Sequence, residues 1–295
     1  MQIKTAIILV NWNGWQDTVE CVKSCQKLQD TSFHMVVVDN NSSDQSYEIL
    51  MENFGDAPDV TILQSGDNLG FAGGNNFGIR YAQEKYNCQY FWLLNNDTVI
   101  EPLTLRALID TAESDPRIGI VGSKIYYYDS NKLWFAGGKF LQRTGYTQHI
   151  GMLQEDGPQF SQQQDVDFIS GCSLLISAEA IAKVGLMPEE YFLYFEDSDW
   201  NFAVQRCGLR VVYEPRSRVW HKISQSVGQQ SKIYYYYMFR NSLVFIQKYR
   251  WYLLPYIFAF RSLEILQLFL KGNSTMARVS LKGLWHFFKK KKGKL

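Results

Sequence analysis

The chain has 295 residues and little cysteine. Its five cysteines, Cys21, Cys25, Cys88, Cys172 and Cys207, are odd in number, form no C-x-x-C pair and have no histidine-rich cluster beside them. Nothing in that spacing supports a disulfide framework, so buried thiols in a reducing compartment are the expectation. A secretory leader is also missing. The apolar run at residues 6–10 is too short and passes directly into Asn11, Trp12 and Asn13, so it reads as a buried first strand. With 46% hydrophobic and 15% aromatic residues, the chain as a whole is not disordered. The most telling scarcity is of acid at one end. Residues 215–295 hold 16 basic residues and one acidic residue, Glu264, whereas residues 1–214 hold 14 basic and 28 acidic. The formal net charge of +1 therefore conceals an acidic body and a basic tail. Such a tail calls for a phosphate-rich partner, nucleic acid or anionic lipid. Its aromatic and aliphatic content favours a membrane surface, and no nucleic-acid partner is expected.

What is present alternates. Residues 5–10 are β-branched and apolar throughout, as a strand covered on both faces should be. Asp17 and Glu20 have the spacing of a capping box at the start of a helix. Residues 35–38 read as a second strand, ending in a turn-rich run from Asp39 to Asp44, and residues 60–63 as a third. A helix is expected at 75–86 and a fourth strand at 90–94, ending at Asn95-Asn96-Asp97. Pro102 is expected in the first turn of a helix reaching about Ser114, by the usual preference. Strand–helix alternation over the first ~120 residues predicts an α/β layer with a mostly parallel sheet. Ligands bind such sheets at the carboxyl ends of the strands. Three of those ends carry polar clusters, at 11–13, 39–41 and 95–97. One alone would be turn chemistry; three on one edge point to a site. Residues 118–186 bring β-rich pieces around a polar segment at 154–164, read as a surface loop.

Four motifs can carry chemistry. The glycine-rich stretch 66–76 precedes a helix and could present backbone N–H groups to a phosphate, or be a tight turn. It is neither a Walker A loop nor a G-x-G-x-x-G at the first strand–helix turn. Asn95-Asn96-Asp97 places one hard oxygen ligand at a strand end. Glu196-Asp197-Ser198-Asp199-Trp200 packs three carboxylates into four residues, as an acidic helix start or as a general base beside a hydroxyl. His221 follows a strand-like stretch at 211–214 and a turn at Pro215, which could return it to the acidic site.

Together these residues resemble a family 2 glycosyltransferase of GT-A fold, most closely the rhamnosyltransferase-like enzymes of bacterial surface polysaccharide assembly. The resemblance covers about residues 3–245 and lies in VNWNG at 10–14, VVVDNNSSD at 36–44, DNLGFAGGNN at 67–76, LLNNDT at 93–98, ISGCSLLIS at 169–177, FEDSDW at 195–200, WH at 220–221 and FRN at 239–241. It implies a Rossmann-like, mostly parallel sheet flanked by helices, with a C-terminal helical extension. A catalytic domain at 1–228 is expected, its nucleotide-sugar half at about 1–120 and its acceptor half at about 121–228, followed by a helical basic region at 229–295. By resemblance, Asp39 reads the nucleobase edge with Asn11 nearby. Asn68, Gly73 and Asn75 line the nucleotide-sugar pocket, and Asn96 and Asp97 end the family's D-x-D metal motif. Asp197 is the inverting general base with Glu196 beside it, and His221 is a metal ligand. The usual motif has two or three carboxylates; here only Asp97 remains, so a divalent cation (Mn²⁺ or Mg²⁺) is expected to bind weakly. The implied donor is a dTDP- or UDP-sugar, with dTDP-rhamnose the first guess, and the acceptor a hydroxyl of a glycan or lipid-linked glycan. The competing readings are a non-catalytic nucleotide-sugar-binding scaffold and a nucleic-acid-binding protein.

The tail supplies the rest. Residues 251–270 approach the length a bilayer demands, but Arg261, Glu264, Gln267 and Lys271 recur at helical spacing. A spanning helix would bury those charges in lipid, so an in-plane amphipathic helix is expected. Arg278, Lys282 and the run Lys289–Lys292 extend the basic character. The protein is thus expected in the cytoplasm, peripheral on the inner face of the cell membrane and held there by residues 251–295. A cut after about Arg250 would be expected to release it. Nothing in the sequence sets the oligomeric state.

Overall fold

The computed structural model describes residues 3–29, 31–223 and 231–295. The chain opens as alternating strands and helices: β1 (Thr5–Asn11), α1 (Trp15–Cys25), β2 (Phe33–Asp39), α2 (Ser46–Phe54), β3 (Val60–Gln64), α3 (Gly70–Lys85) and β4 (Tyr90–Leu94). These four strands pair in parallel, β1 lying between β2 and β4, with β3 outside β2. The side chains of β1, β2 and β4 are almost wholly buried because helices cover the sheet, whereas the outer strand β3 is mostly half-buried. Helix α3 lies close on β1 because it has glycine where the two meet. A Cβ on Gly74 would stand 2.8 Å from Val10 Cγ1, and one on Gly78 2.7 Å from Ile8 Cγ2.

A short strand β5 (Thr98–Ile100) and helix α4 (Thr104–Ser114) come next, then β6 (Ile118–Tyr127) and β7 (Leu133–Phe135). A hairpin of β8 (Gly138–Leu141) and β9 (Tyr146–His149) stands apart from the main sheet. The chain returns through β10 (Gln164–Asp165), β11 (Ser173–Ser177), α5 (Ala178–Val184), α6 (Glu196–Arg206) and β12 (Arg210–His221). The main sheet runs β10-β12-β6-β11-β4-β1-β2-β3, with β5 on β12 and β7 on β6. It is parallel except around β11, which runs antiparallel to both β4 and β6, and at β5, β7 and β10. A mixed α/β architecture with a mostly parallel sheet was expected and is found.

Three local expectations need correction. Helix α1 begins at Trp15 behind Gly14, without a side-chain cap. Asp17 lies inside its first turn, where its carboxylate takes Lys222 Nζ at 2.7 Å. Helix α4 starts at Thr104 rather than at Pro102. Pro215 makes no turn between separate elements. It lies inside β12, where the pairing with β6 slips between Glu214 and Arg218. A bulge tolerates a residue that cannot donate to the ladder.

The C-terminal region folds as α7 (Lys232–Tyr249), α8 (Leu254–Leu270) and α9 (Ser274–Phe288). The expected boundary at 228–229 lies outside the described residues. These helices share a core with the body: Phe239, Leu243 and Phe245 of α7, Ile257 and Ile265 of α8 and Leu284 of α9 pack with Tyr191, Phe195 and Phe140. Arg261, fully buried, lies 3.4 Å from the centre of the Tyr146 ring, pairs with Glu264 at 2.8 Å and donates to Ser242 Oγ at 3.1 Å. Arg261 and Glu264 of the polar stripe thus face the protein beside Ile257 and Ile265, whereas Gln267, Lys271, Leu263, Leu266 and Leu270 are exposed. The stripe expected along one side of α8 is therefore divided between the protein and the surface. Cutting the chain at Arg250 would strip this cover from Leu243 and Ile246, which are fully buried.

Candidate active site

At the carboxyl ends of β1 and β4 lies a cleft of about 530 Å³. Asn40, Asn68, Gly70, Phe71 and Asn75 line one side, Asn95, Asn96 and Asp97 another, and Phe192 and Leu193 a third. The three polar clusters meet here, and they are knitted together. Asn11 Nδ2 donates to Asp39 Oδ1 at 2.8 Å, and Ser42 Oγ donates to the same oxygen at 2.6 Å. Thr18 Oγ1 donates to Asn11 Oδ1 at 2.9 Å and accepts from Asn96 Nδ2 at 2.8 Å. Asn11 and Asp39, both fully buried, therefore stand behind the cleft wall and hold it.

The glycine-rich stretch is largely helix. Gly70 starts α3 at φ 72°, and Gly73 lies within the first turn, its α-carbon turned toward Leu69. Gly73 is not on the cleft wall; Asn68 and Asn75 are. Asn68 Oδ1 accepts from Gly70 N–H at 2.9 Å, and Asn75 Nδ2 donates to Phe71 O at 2.9 Å. Asn40, not singled out in the sequence, ties this loop to β2. Its Oδ1 accepts from Leu69 N–H at 3.0 Å and its Nδ2 donates to Gly70 O at 3.1 Å. The helix start that faces the cleft suits an anion.

On the opposite wall, His221 Nε2 lies 3.1 Å from Asp97 Oδ1, both side chains buried. Asn95 Nδ2 is 3.4 Å from the same ring nitrogen. Long β12 makes this possible by pairing His221 with Thr98 of β5. The sequence left open a return of His221 to the acidic turn; it goes to Asp97 instead. Burial opposes a charged ring, but Cys172 and Asp97 beside it outweigh that and hold its pKa up at about 10. Among the described residues, no three His, Cys, Asp or Glu side chains are placed to hold a metal ion. A divalent cation would displace the His221 proton, so an Asp97 oxygen on the cleft wall and the imidazole nitrogen behind it fit a cation that takes its remaining ligands from a bound phosphate and water.

The acidic turn divides its carboxylates by role. Asp199 is buried and structural: Tyr191 Oη donates to it at 2.7 Å, Lys248 Nζ at 2.8 Å and Tyr249 Oη at 2.8 Å. Asp197 accepts from Gly171 N–H at 3.0 Å and Ser198 N–H at 2.6 Å. Burial raises its pKa despite those bonds. Glu196 is buried, and its Oε2 has no hydrogen-bond partner. Burial first, and Asp197 second, push its pKa up to about 8. Phe71 joins this turn to the cleft: it lines the cleft, and its ring and Asp197 Cβ both lie against Gly171. The preceding segment is irregular, with Phe192, Tyr194 and Phe195 at φ 67°, 66° and 76°. Aromatic side chains avoid that region, and such strain collects at functional sites.

The model of glycosyl transferase family 2 matches residues 6–185, the span that carries the sheet apart from β12, the glycine-rich loop and Asp97. The chain belongs to glycosyl transferase family 2. Among curated relatives, the low-salt glycan biosynthesis hexosyltransferase of Haloferax volcanii is 25% identical over 70% of this chain and 63% of its own length. An N-acetylglucosaminyl-diphospho-decaprenol L-rhamnosyltransferase of Mycobacterium tuberculosis is 27% identical over 66% of this chain and 68% of its own. The chain thus spans about two thirds of these relatives. A mannosyltransferase from Pyrobaculum calidifontis, solved in complex with GDP-Man and Mn²⁺, superposes with a TM-score of 0.63 at 13% identity, covering 99% of this chain and 88% of that one. GalNAc-T7, solved with UDP, GalNAc and Mn²⁺, gives 0.62 at 16% identity over 80% of this chain and 48% of that one. Those likenesses show the fold, which is the GT-A fold expected of family 2.

Family 2 membership explains the cleft but not all that builds it. Asn40 was hidden in a run of turn formers. The strained 192–195 segment left no trace in sequence, because aromatic residues do not advertise positive φ.

Proposed function

We propose that this family 2 protein is an inverting glycosyltransferase that moves a sugar from a nucleotide diphosphate donor to a hydroxyl of a glycan or lipid-linked glycan. The observation that carries this reading is one cleft lined by the α3 start and Asp97, with His221 behind Asp97 and the turn bearing Asp197 joined to the cleft through Phe71. The donor diphosphate would lie at the start of α3, and Asn68 and Asn75 would orient it. Asp97 and His221 would hold a divalent cation, Mn²⁺ or Mg²⁺, which supplies charge to offset the leaving diphosphate. Asp197, kept in place by Gly171 and Ser198, takes the acceptor's proton. The acceptor oxygen then bonds to the anomeric carbon on the face opposite the diphosphate, whose C–O bond breaks and carries its electron pair away. One displacement inverts the centre. The donor favoured for testing is dTDP-rhamnose, given the rhamnosyltransferase among the relatives. Burial, and Asp197 beside it, push the Glu196 pKa up to about 8 and favour its protonated form at neutral pH, which supports Asp197 as the base.

We place the enzyme on the inner face of the cell membrane. The outward side of α8 exposes Leu263, Leu266 and Leu270, Trp251 is exposed just before it, and α9 adds Trp285 and Phe288. The segment Trp251–Leu270 is apolar and long enough to cross a membrane by length and composition. The buried Arg261–Glu264 pair on its inner side fits a helix lying in the interface better. Exposed Lys271, Arg278, Lys282 and Lys289 border that apolar surface, a complement to anionic headgroups.

The test is a thermal-shift screen of dTDP-rhamnose, UDP- and GDP-sugars with and without Mn²⁺, followed by anomeric analysis of the product. Stabilisation by a dTDP- or UDP-sugar and an inverted product support the reading. Absence of any nucleotide-dependent shift, or a retained configuration, sinks it.

A further inference from the structure

The motif Phe239-Arg240-Asn241 on α7 takes no part in the chemistry above, yet two of its side chains reach the strained segment beside the cleft. Both Arg240 and Asn241 are buried. Asn241 Nδ2 donates to the carbonyls of Leu193 and Tyr194 at 2.8 Å each and of Tyr191 at 3.1 Å. Asn241 Oδ1 accepts from Arg240 Nε at 2.7 Å, which turns the amide so that its N–H₂ faces those carbonyls. Arg240 Nη2 donates to Tyr191 O at 2.7 Å and Glu190 O at 3.2 Å, while Nη1 donates to Gly293 O at 2.7 Å. The Arg240 guanidinium also lies 4.9 Å from the Tyr237 ring centre.

The carbonyls gathered here belong to a short 3-10 turn, Glu189–Tyr191, and to the residues after it, which the left-handed Phe192 and Tyr194 keep out of any helix or sheet ladder. Unpaired carbonyls in a buried segment need donors, and a primary amide backed by a guanidinium supplies several from one point. The same segment meets the chemistry at both ends. Phe192 and Leu193 line the cleft, and Phe192 O accepts from Phe71 N–H at 2.9 Å, at the start of α3. Two residues beyond Phe195 lies Asp197.

We propose that Asn241 and Arg240 are positioning residues of the transfer reaction: by clamping the 190–195 carbonyls they hold the cleft closed at Phe192 and Leu193 and set the turn that carries Asp197. The proposal rests on the glycosyltransferase reading. It goes further by giving the C-terminal helices a part in the active site. Because Arg240 also takes Gly293 O, the clamp joins the basic end of the chain to the same loop.

The test uses the full chain with Asn241→Asp, which keeps the size and the Arg240 contact but cannot donate to the carbonyls. Arg240→Lys, which keeps the charge and loses the fork, is the second variant should the first fold poorly. Hydrogen exchange by mass spectrometry is expected to speed up about tenfold in the peptides covering 189–195 and 67–73, with the β1–β4 sheet unchanged. The dissociation constant of dTDP with Mn²⁺, and KM for dTDP-rhamnose, are each expected to rise about tenfold, and kcat to fall. A purely structural role would lower the folded fraction and kcat together and leave KM and dTDP affinity of the folded protein as in wild type; that result overturns the proposal. If wild type binds neither dTDP nor UDP, the donor reading fails, and the exchange arm alone decides: wild-type exchange at 189–195 in both variants refutes the clamp.

Discussion

Glu196 and Asp197 are neighbours in sequence with opposite prospects. Asp197→Asn is expected to abolish sugar transfer while leaving nucleotide binding nearly intact, measured by turnover and by dTDP titration. Retention of more than about a tenth of wild-type turnover would remove Asp197 from the role of base. Glu196→Gln, which mimics the protonated form held at neutral pH, is expected to keep most of the activity at pH 7. A reversed pair of results would assign the base to Glu196. Glu196 also links pH to stability. Its folded pKa, about 8, is above its ordinary 4.5. Between those values the folded state holds a proton the unfolded state has lost, so stability falls as pH rises through the window, by at most about 1.4 kcal/mol per pH unit. Melting curves from pH 4.5 to 8.5 are expected to show a steeper decline for wild type than for Glu196→Gln; parallel declines would mean that Glu196 is ionised throughout. The sequence made the acidic turn visible as a cluster. It could not say which carboxylate was which, because Lys248, Tyr249 and Tyr191, which claim Asp199, come from elsewhere in the chain.

At the scale of elements, Gly70 is where the start of α3 meets the 190–195 segment. Its φ of 72° disfavours any side chain, and an added Cβ would collide with the Phe192 carbonyl oxygen. Gly70→Ala is expected to cost about 2 kcal/mol of stability and to weaken dTDP binding, read by denaturant melts and calorimetry. Wild-type values on both counts would show that the contact with Phe192 yields freely. The strands β1 to β4 were legible because a doubly covered strand must be apolar at every position. The antiparallel course of β11 was not, since a buried strand looks the same in either direction. The polar stripe of α8 was legible as a period but not as a direction. A polar residue can face water or a partner, and Tyr146 and Ser242, distant in sequence, turn Arg261 and Glu264 toward the protein while Gln267 and Lys271 stay exposed.

For the whole molecule, the question is what the outward surface of α8 meets. Replacing Leu266 by Gln and Phe269 by Ser removes apolar surface without touching the shared core. The double variant is expected to bind phosphatidylglycerol vesicles about tenfold or more weakly, with unchanged melting, since burial of each such side chain contributes about 1.5–3 kcal/mol. Equal cosedimentation of both proteins would exclude this face as the lipid-binding surface. This replaces truncation as the test, because the C-terminal helices complete the core against Tyr191 and Phe195. The sequence by itself determined the alternating α/β body, the family, the polar strand ends and the separation of acidic body from basic tail. Each of these depends on residue type, order or local period. The tertiary structure alone decided that His221 joins Asp97, that Asp39 stands behind the cleft, and that Arg240 and Asn241 hold the loop beside Asp197. Those are contacts between residues far apart in the chain, and only packing brings such residues within hydrogen-bonding range.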